Sequence, residues 1–126
     1  MEKIVNIDGK DVKFKSTAGT PIRYQMQFKS DMLEDLTKLK TKLDNVNNGI
    51  SEFKMEDLET FEKIAWAMAK TSDKSIPPME DWLDEFDMFS IYQILPELSE
   101  LMIANFKAID GQKKNIIPQE NQKEIN

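Results

Sequence analysis

The sequence predicts a mainly α fold, a small helical domain of about five helices with an N-terminal β-hairpin packed on it. Near the start, apolar residues alternate with polar ones on both sides of Asp8-Gly9. Five later stretches repeat apolar residues at helical spacing, and capping or breaking residues separate them. We expect the 126 residues to form one domain over 1–110, followed by a flexible C-terminal tail over 111–126.

The hairpin is expected at about residues 3–15. Asp8-Gly9 tolerates the positive φ angles of a type I′ turn, and a two-residue turn pairs Val5 with Val12. This register places four apolar side chains on one face: Val5, Ile7, Val12 and Phe14. An isolated hairpin is marginally stable in water, so helices should cover that face.

The first helical stretch should start at Thr20, a good N-cap, with Pro21 in its first turn. Asp31 offers a second cap, and either a second helix or a bent continuation follows it. Its apolar stripe is formed by Met32, Leu36, Leu39 and Leu43. A polar break begins at Asp44 and ends this stretch.

Three further helical stretches are expected over 55–70, 79–86 and 88–106. In the first, Trp66 lies off the apolar stripe and either fills the core or stands partly exposed. The last stretch is the longest, and we expect it to form the centre of the core, with a kink or break at Pro96.

The composition argues against an enzyme. The chain has no His and no Cys, which removes the usual general base, thiol nucleophiles and the commonest metal ligands. Its four glycines are isolated, so no phosphate-binding loop is present. Carboxylate pairs at helical spacing, Asp81 with Glu85 and Asp84 with Asp87, are expected to face water. We therefore predict no catalytic residues, no metal ligands and no cofactor.

Charge is unevenly distributed. Residues 56–100 carry twelve acidic and three basic side chains, whereas the whole chain has a net charge of −6. Such a segment disfavours nucleic acid, which is bound mainly by Lys and Arg. It is either a solvated face or a surface for a basic partner. The sequence has no apolar run of the roughly 18 residues that a membrane span needs and no visible secretory signal, so we expect a cytoplasmic protein.

Three strings taken in order resemble the tail assembly chaperones of long-tailed, siphovirus-type phages and prophages of Gram-positive bacteria. They are IDGKDVKFKSTAGTPIRYQMQF, LETFEKIAWAMAK and SIPPMEDWLDEFDMFSIYQILPEL. The resemblance covers about residues 4–101, and the chain after Leu101 departs from the family pattern.

The resemblance implies a non-enzymatic chaperone of virion morphogenesis that acts in the host bacterial cytoplasm and is absent from the finished virion. Its partners would be the tape-measure protein, which it keeps soluble, and the tail-tube protein, contacted through a longer frameshifted form. Self-association along a long partner would add avidity.

Amphipathic helices of such a partner would need an apolar docking surface. The candidates are the aromatic residues that one-sided core stripes explain least, each of which is alternatively a core residue: Tyr24, Trp66, Trp82, Phe86, Phe89 and Tyr92. Other functions remain open, namely an acidic regulator that mimics DNA, a carboxylate-dependent metal enzyme and a structural tail component.

Overall fold

The computed structural model describes residues 1–49 and 52–116, and it describes side chains up to residue 104 except at residue 102. The described residues form a two-stranded antiparallel sheet and five helices, which confirms the predicted fold class. The elements in chain order are β1 (Glu2–Ile7), β2 (Lys10–Lys15), α1 (Thr20–Phe28), α2 (Met32–Asn47), α3 (Met55–Ser72), α4 (Met79–Leu83) and α5 (Ile91–Ile116).

The hairpin forms in the predicted register. Asp8 and Gly9 have φ angles of 55° and 81°, as a type I′ turn requires, and Val5 pairs with Val12. One face of the sheet is buried, with β2 packed on α3 and β1 on α5. Val12 is half-buried, and the fully buried residues of this face are Val5, Ile7 and Phe14. The helices therefore cover the apolar face that the hairpin could not bury alone.

Helix α3 is the centre of the domain, whereas the sequence placed the centre at the last helix. It contacts β2 and each of the other four described helices. Buried residues lie on every side of its middle turns because three of them are alanines, which let neighbouring elements approach closely. The buried run is Ile64, Ala65, Trp66, Ala67, Met68 and Ala69.

Helices α1 and α2 are separate elements rather than one bent helix. Lys29 ends α1 in the left-handed conformation, with a φ angle of 57°. Asp31 then caps α2 as predicted, because its carboxylate accepts hydrogen bonds from the N–H groups of Leu33 and Glu34. The N-cap of α1 is Gly19 and not Thr20. The Thr20 hydroxyl is buried and lies 3.1 Å from that of Thr71 on α3, so it joins two helices instead of capping one.

Helix α4 ends at Leu83, earlier than the sequence predicts, and α5 begins at Ile91. Of the kink or break predicted at Pro96, the break does not occur, since α5 continues through that residue. Pro96 has no N–H group, so the carbonyl of Tyr92 lacks its usual helical partner. Helix α5 passes the predicted domain end at 110 and reaches Ile116, and residues 117–126 of the predicted tail lie outside the described residues.

The hairpin turn lies on the segment between α4 and α5. The backbone N–H of Asp87 donates to the Asp8 carboxylate at 2.9 Å. The ammonium group of Lys10 donates to the carbonyl of Glu85, and it lies 5.2 Å from the centroid of the Phe86 ring. These contacts hold the turn against residues 85–87, which lie more than seventy positions further along the chain.

Candidate partner-binding surfaces

Of the six aromatic residues that the sequence offers as partner-binding candidates, one is exposed. Tyr92 has 58% of its surface accessible, and Phe89 is half-buried. The other four candidates belong to the hydrophobic core: Tyr24, Trp66, Trp82 and Phe86. In this conformation a docked partner would reach Tyr92 directly and those four not at all.

Three candidates, two of them buried and Phe89 half-buried, form one cluster with the buried Phe61 of α3. Trp82 packs edge-on against Phe86 and Phe89, with ring centroids 5.5 and 5.4 Å apart. The Phe89 ring also lies 5.5 Å from the ring of Phe61. We call Phe61, Trp82, Phe86 and Phe89 the inner aromatic cluster. It joins α4 and the loop after it to α3, so its role is to hold the fold.

Tyr24 and Trp66 are in the core on the other side of α3, where both contact Phe28. The ring of Phe28 lies 5.1 Å from that of Tyr24 and 5.5 Å from that of Trp66. The Trp66 indole donates to the carbonyl of Pro77 at 2.9 Å, so its polar group is satisfied. Trp66 therefore fills the core and does not stand partly exposed.

The hydroxyl of Tyr24 donates to the carboxylate of Asp35 at 2.7 Å, and Ser30 donates to the same oxygen. Burial raises the pKa of Tyr24, and the hydrogen bond to Asp35 raises it further. The phenol therefore stays neutral and links α1 to α2.

Tyr92 packs against Phe53, which precedes α3, with ring centroids 5.5 Å apart and planes at 68°. Two exposed methionines neighbour this pair in the sequence. Met55 follows Phe53 by two residues and is 79% exposed, while Met88 precedes Tyr92 by four and is 68% exposed. We call Phe53, Met55, Met88 and Tyr92 the Tyr92 surface. Exposed methionines, with their flexible thioethers, are typical of adaptable binding surfaces.

A second exposed apolar surface lies on α1, and sequence reasoning missed it. Ile22 and Met26 are 62% and 65% exposed and stand one helical turn apart. Beside them is a groove of about 520 Å³ lined by residues of α1, of α2 and of the loop between them, among them Ile22, Gln25, Lys29 and Leu33. The sequence feature that indicates this surface is the i, i+4 spacing of Ile22 and Met26, on the face of α1 opposite Tyr24 and Phe28. We call Ile22 and Met26 the α1 face.

The predicted carboxylate pairs are exposed on the surface. The exposed acids of α4 and the segment after it are Glu80, Asp81, Asp84, Glu85 and Asp87. Among the residues that the structure describes, no group of three or more acidic side chains is arranged to hold a metal ion. No helix within 1–49 or 52–116 is long and apolar enough to cross a membrane.

Comparison with known proteins gives no match, either to a family model, to a curated protein or to a solved structure.

Proposed function

We propose that this protein is a non-enzymatic tail assembly chaperone, which binds the tape-measure protein of a long-tailed phage or prophage and keeps it soluble during virion morphogenesis. The observation that carries the proposal is the Tyr92 surface. Phe53 and Tyr92 are in contact there, and Met55 and Met88, close to them in the sequence, are more than half exposed, as Tyr92 is. Both tryptophans and the second tyrosine, Tyr24, are buried. The resemblance of the three sequence strings to tail assembly chaperones supports the same function.

The proposed partner exposes apolar stripes before the tail tube encloses it. A chaperone that covers such stripes needs a surface of side chains, because a helix has no free backbone edge to offer. The Tyr92 surface has this character. The tail-tube protein is the second proposed partner, contacted through a longer frameshifted form. The proposed place of action is the host bacterial cytoplasm, and the finished virion would lack the chaperone.

Self-association is part of the proposal, and the α1 face suits it. Two copies of a chain with a net charge of −6 repel each other, so a contact between copies favours a surface without excess acid. Arg23, next to Ile22, donates a hydrogen bond to the hydroxyl of Thr71. The groove beside the α1 face is lined by one basic and one acidic residue, Lys29 and Asp31. Weak contacts between neighbouring copies would add avidity along a long partner.

The test is co-expression of the chain with the long helical protein encoded near it, with that protein alone as the control. We expect the long protein to become soluble and to elute with several copies of the chain. A long protein that stays insoluble and unbound would rule out the chaperone function. Purified virions should lack the chain, since its presence there would indicate a structural tail component.

The exposed acids of residues 80–87 favour a second candidate, an acidic regulator that mimics DNA. Such a protein would bind a basic DNA-binding partner through carboxylates, and salt would weaken that complex strongly. Recovery of a DNA-binding protein in a pull-down, released at moderate salt and displaced by DNA, would favour this function over the chaperone.

A further inference from the structure

Strand β2 has β1 on one side and, within the described part of the chain, no strand on the other. In an antiparallel pair, hydrogen-bonded and non-hydrogen-bonded residue pairs alternate. Met1 and Ser16, just beyond the strands, form a hydrogen-bonded pair, since the N–H of Ser16 donates to the carbonyl of Met1 at 2.9 Å. Counting from this pair, every second residue of β2 turns its N–H and C=O groups away from β1: Asp11, Lys13 and Lys15.

These outward backbone groups have no hydrogen-bond partner among residues 1–49 and 52–116. The neighbouring contacts involve side chains instead. The Asp11 carboxylate accepts from the Asn6 amide at 3.0 Å, and the ammonium group of Lys13 lies 3.7 Å from the Glu2 carboxylate. A row of unpaired backbone groups at a sheet edge is a template on which another strand can pair. We call it the β2 edge.

A groove of about 480 Å³ lies along the β2 edge. All four residues over 10–13 line it. Because successive side chains of a strand point to opposite faces, a groove that all four line must run along the edge of the strand and not over one face. Its apolar lining comes from residues that are buried or half-buried: Val12, Ile76, Trp82 and Phe86.

The size of the groove and the unpaired backbone groups specify the occupant. One strand residue takes about 3.4 Å along the strand, about 4.8 Å across the sheet and about 10 Å between packed layers, so the groove holds about three residues of an extended segment. A second copy of this hairpin would bring two strands and the helices beneath them, which is too much for that space. A helix bonds its own backbone groups and could not pair with the edge.

We infer that the groove binds an extended segment of a partner protein, which pairs with the β2 edge as a third strand. The residue opposite Val12 would turn its side chain toward Ile76, so it should be apolar. This inference goes beyond the proposed function, because the Tyr92 surface would bind a helix through side chains, whereas the β2 edge binds a strand through its backbone.

The test uses the full chain, labelled with nitrogen-15, and a synthetic hexapeptide of alternating valine and threonine with blocked ends. Nuclear magnetic resonance measures hydrogen exchange at each backbone amide. At saturating peptide, exchange at Asp11 and Lys13 should slow about tenfold, because a hydrogen-bonded amide is protected. The amide of Ile4, which faces outward from β1 at the opposite edge, should be unchanged. A control peptide with proline in place of each threonine lacks the needed N–H groups and should not bind.

Lys13→Pro removes the outward N–H and leaves the hydrogen bonds to β1 intact. It should weaken peptide binding at least about tenfold, since it removes one ladder bond and adds a ring at the edge. Lys13→Ala keeps the N–H group and should bind as the wild type does. Ile4→Pro is the matched control, because it makes the same change in the residue paired with Lys13, at the other edge. Circular dichroism would verify that the variants keep the wild-type fold.

Exchange at Asp11 and Lys13 that the peptide leaves unchanged would overturn the inference. Equal slowing at both edges, or equal weakening by Lys13→Pro and Ile4→Pro, would overturn it too. The exchange measurement needs no variant, so it decides the inference even where Lys13→Pro does not fold. None of these outcomes bears on the proposed function, which the co-expression experiment tests separately.

Discussion

The inner aromatic cluster and the Tyr92 surface are neighbours in the chain and both contain aromatic rings in contact, yet the first is mostly buried and the second mostly exposed. Trp82, Phe86 and Phe89 pack together beside Phe61, whereas Tyr92, three residues further on, has one aromatic neighbour and faces solvent. Both groups make edge-to-face contacts at about the same distance. Residue type and ring geometry therefore do not decide which group is core.

The difference comes from what covers each group. The hairpin turn places Lys10 over the ring of Phe86, and Asp8 accepts a hydrogen bond from the backbone of Asp87. No described element covers Tyr92 in this way, so its ring and the neighbouring methionines stay accessible. The comparison separates residues that hold the fold from residues that are available to a partner.

The largest expected effect is in the inner aromatic cluster. Trp82→Ala removes a buried indole that contacts two other rings, and it should lower the free energy of unfolding by about 3–5 kcal/mol. Urea denaturation followed by circular dichroism measures the change. Tyr92→Ala is the control and should change it by less than about 0.5 kcal/mol. Equal losses for the two variants would contradict the distinction between the two groups.

The two tyrosines give a matched pair with a smaller effect. Tyr24→Phe removes one hydroxyl and its bond to Asp35, and it should cost about 1–2 kcal/mol because that bond joins a partly buried carboxylate. Tyr92→Phe removes a hydroxyl that faces solvent and should be neutral within about 0.5 kcal/mol. Thermal unfolding of both variants tests this, and a neutral Tyr24→Phe would refute the structural role of the bond.

A cost of about 1 kcal/mol is expected at the hairpin turn that covers the inner aromatic cluster. Gly9 has a φ angle of 81°, so Gly9→Ala forces an L side chain into the left-handed region. Gly19 has an ordinary φ angle of −81°, and Gly19→Ala should therefore stay within about 0.5 kcal/mol of the wild type. Equal stabilities of the two variants would show that the turn conformation contributes little.

The smallest effect concerns the half-buried Glu62 on α3. Burial raises the pKa of its carboxyl, and the nearby charge of Glu59 raises it further. A raised folded-state pKa means that the charged form opposes folding, so stability is lost as pH rises through that pKa. Glu62→Gln should consequently stabilise the protein slightly at neutral pH, and the gain should vanish below the ordinary carboxyl pKa. A gain independent of pH would contradict this cause.

Much of the fold was predictable from local patterns. The Asp8-Gly9 turn and the alternation around it predict the register, because the turn alone fixes which residues pair. The cap at Asp31 likewise predicts the start of α2. The central position of α3 was not predictable in this way. Its sequence has one apolar stripe, like the other helices, and its burial on the remaining sides depends on contacts with elements throughout the chain.

The candidate site was also predictable only in part, because the exposure of its residues depends on contacts between distant parts of the chain. The aromatic residues of the segment from Trp82 to Tyr92 look alike in the sequence, and their exposure depends on a hairpin turn more than seventy positions away. Tyr92 was among the predicted candidates, whereas Ile22 and Met26 were not, because the opposite face with Tyr24 and Phe28 already accounts for the apolar pattern of α1.

The central claim is that the Tyr92 surface binds the partner while the inner aromatic cluster holds the fold. The most direct measurement is co-purification of the proposed partner, the tape-measure protein, with Tyr92→Ala, alongside the urea denaturation curve of the isolated variant. We predict that the variant unfolds at the same urea concentration as the wild type but recovers at most about a tenth of the partner. Undiminished recovery by a folded Tyr92→Ala variant would contradict the account.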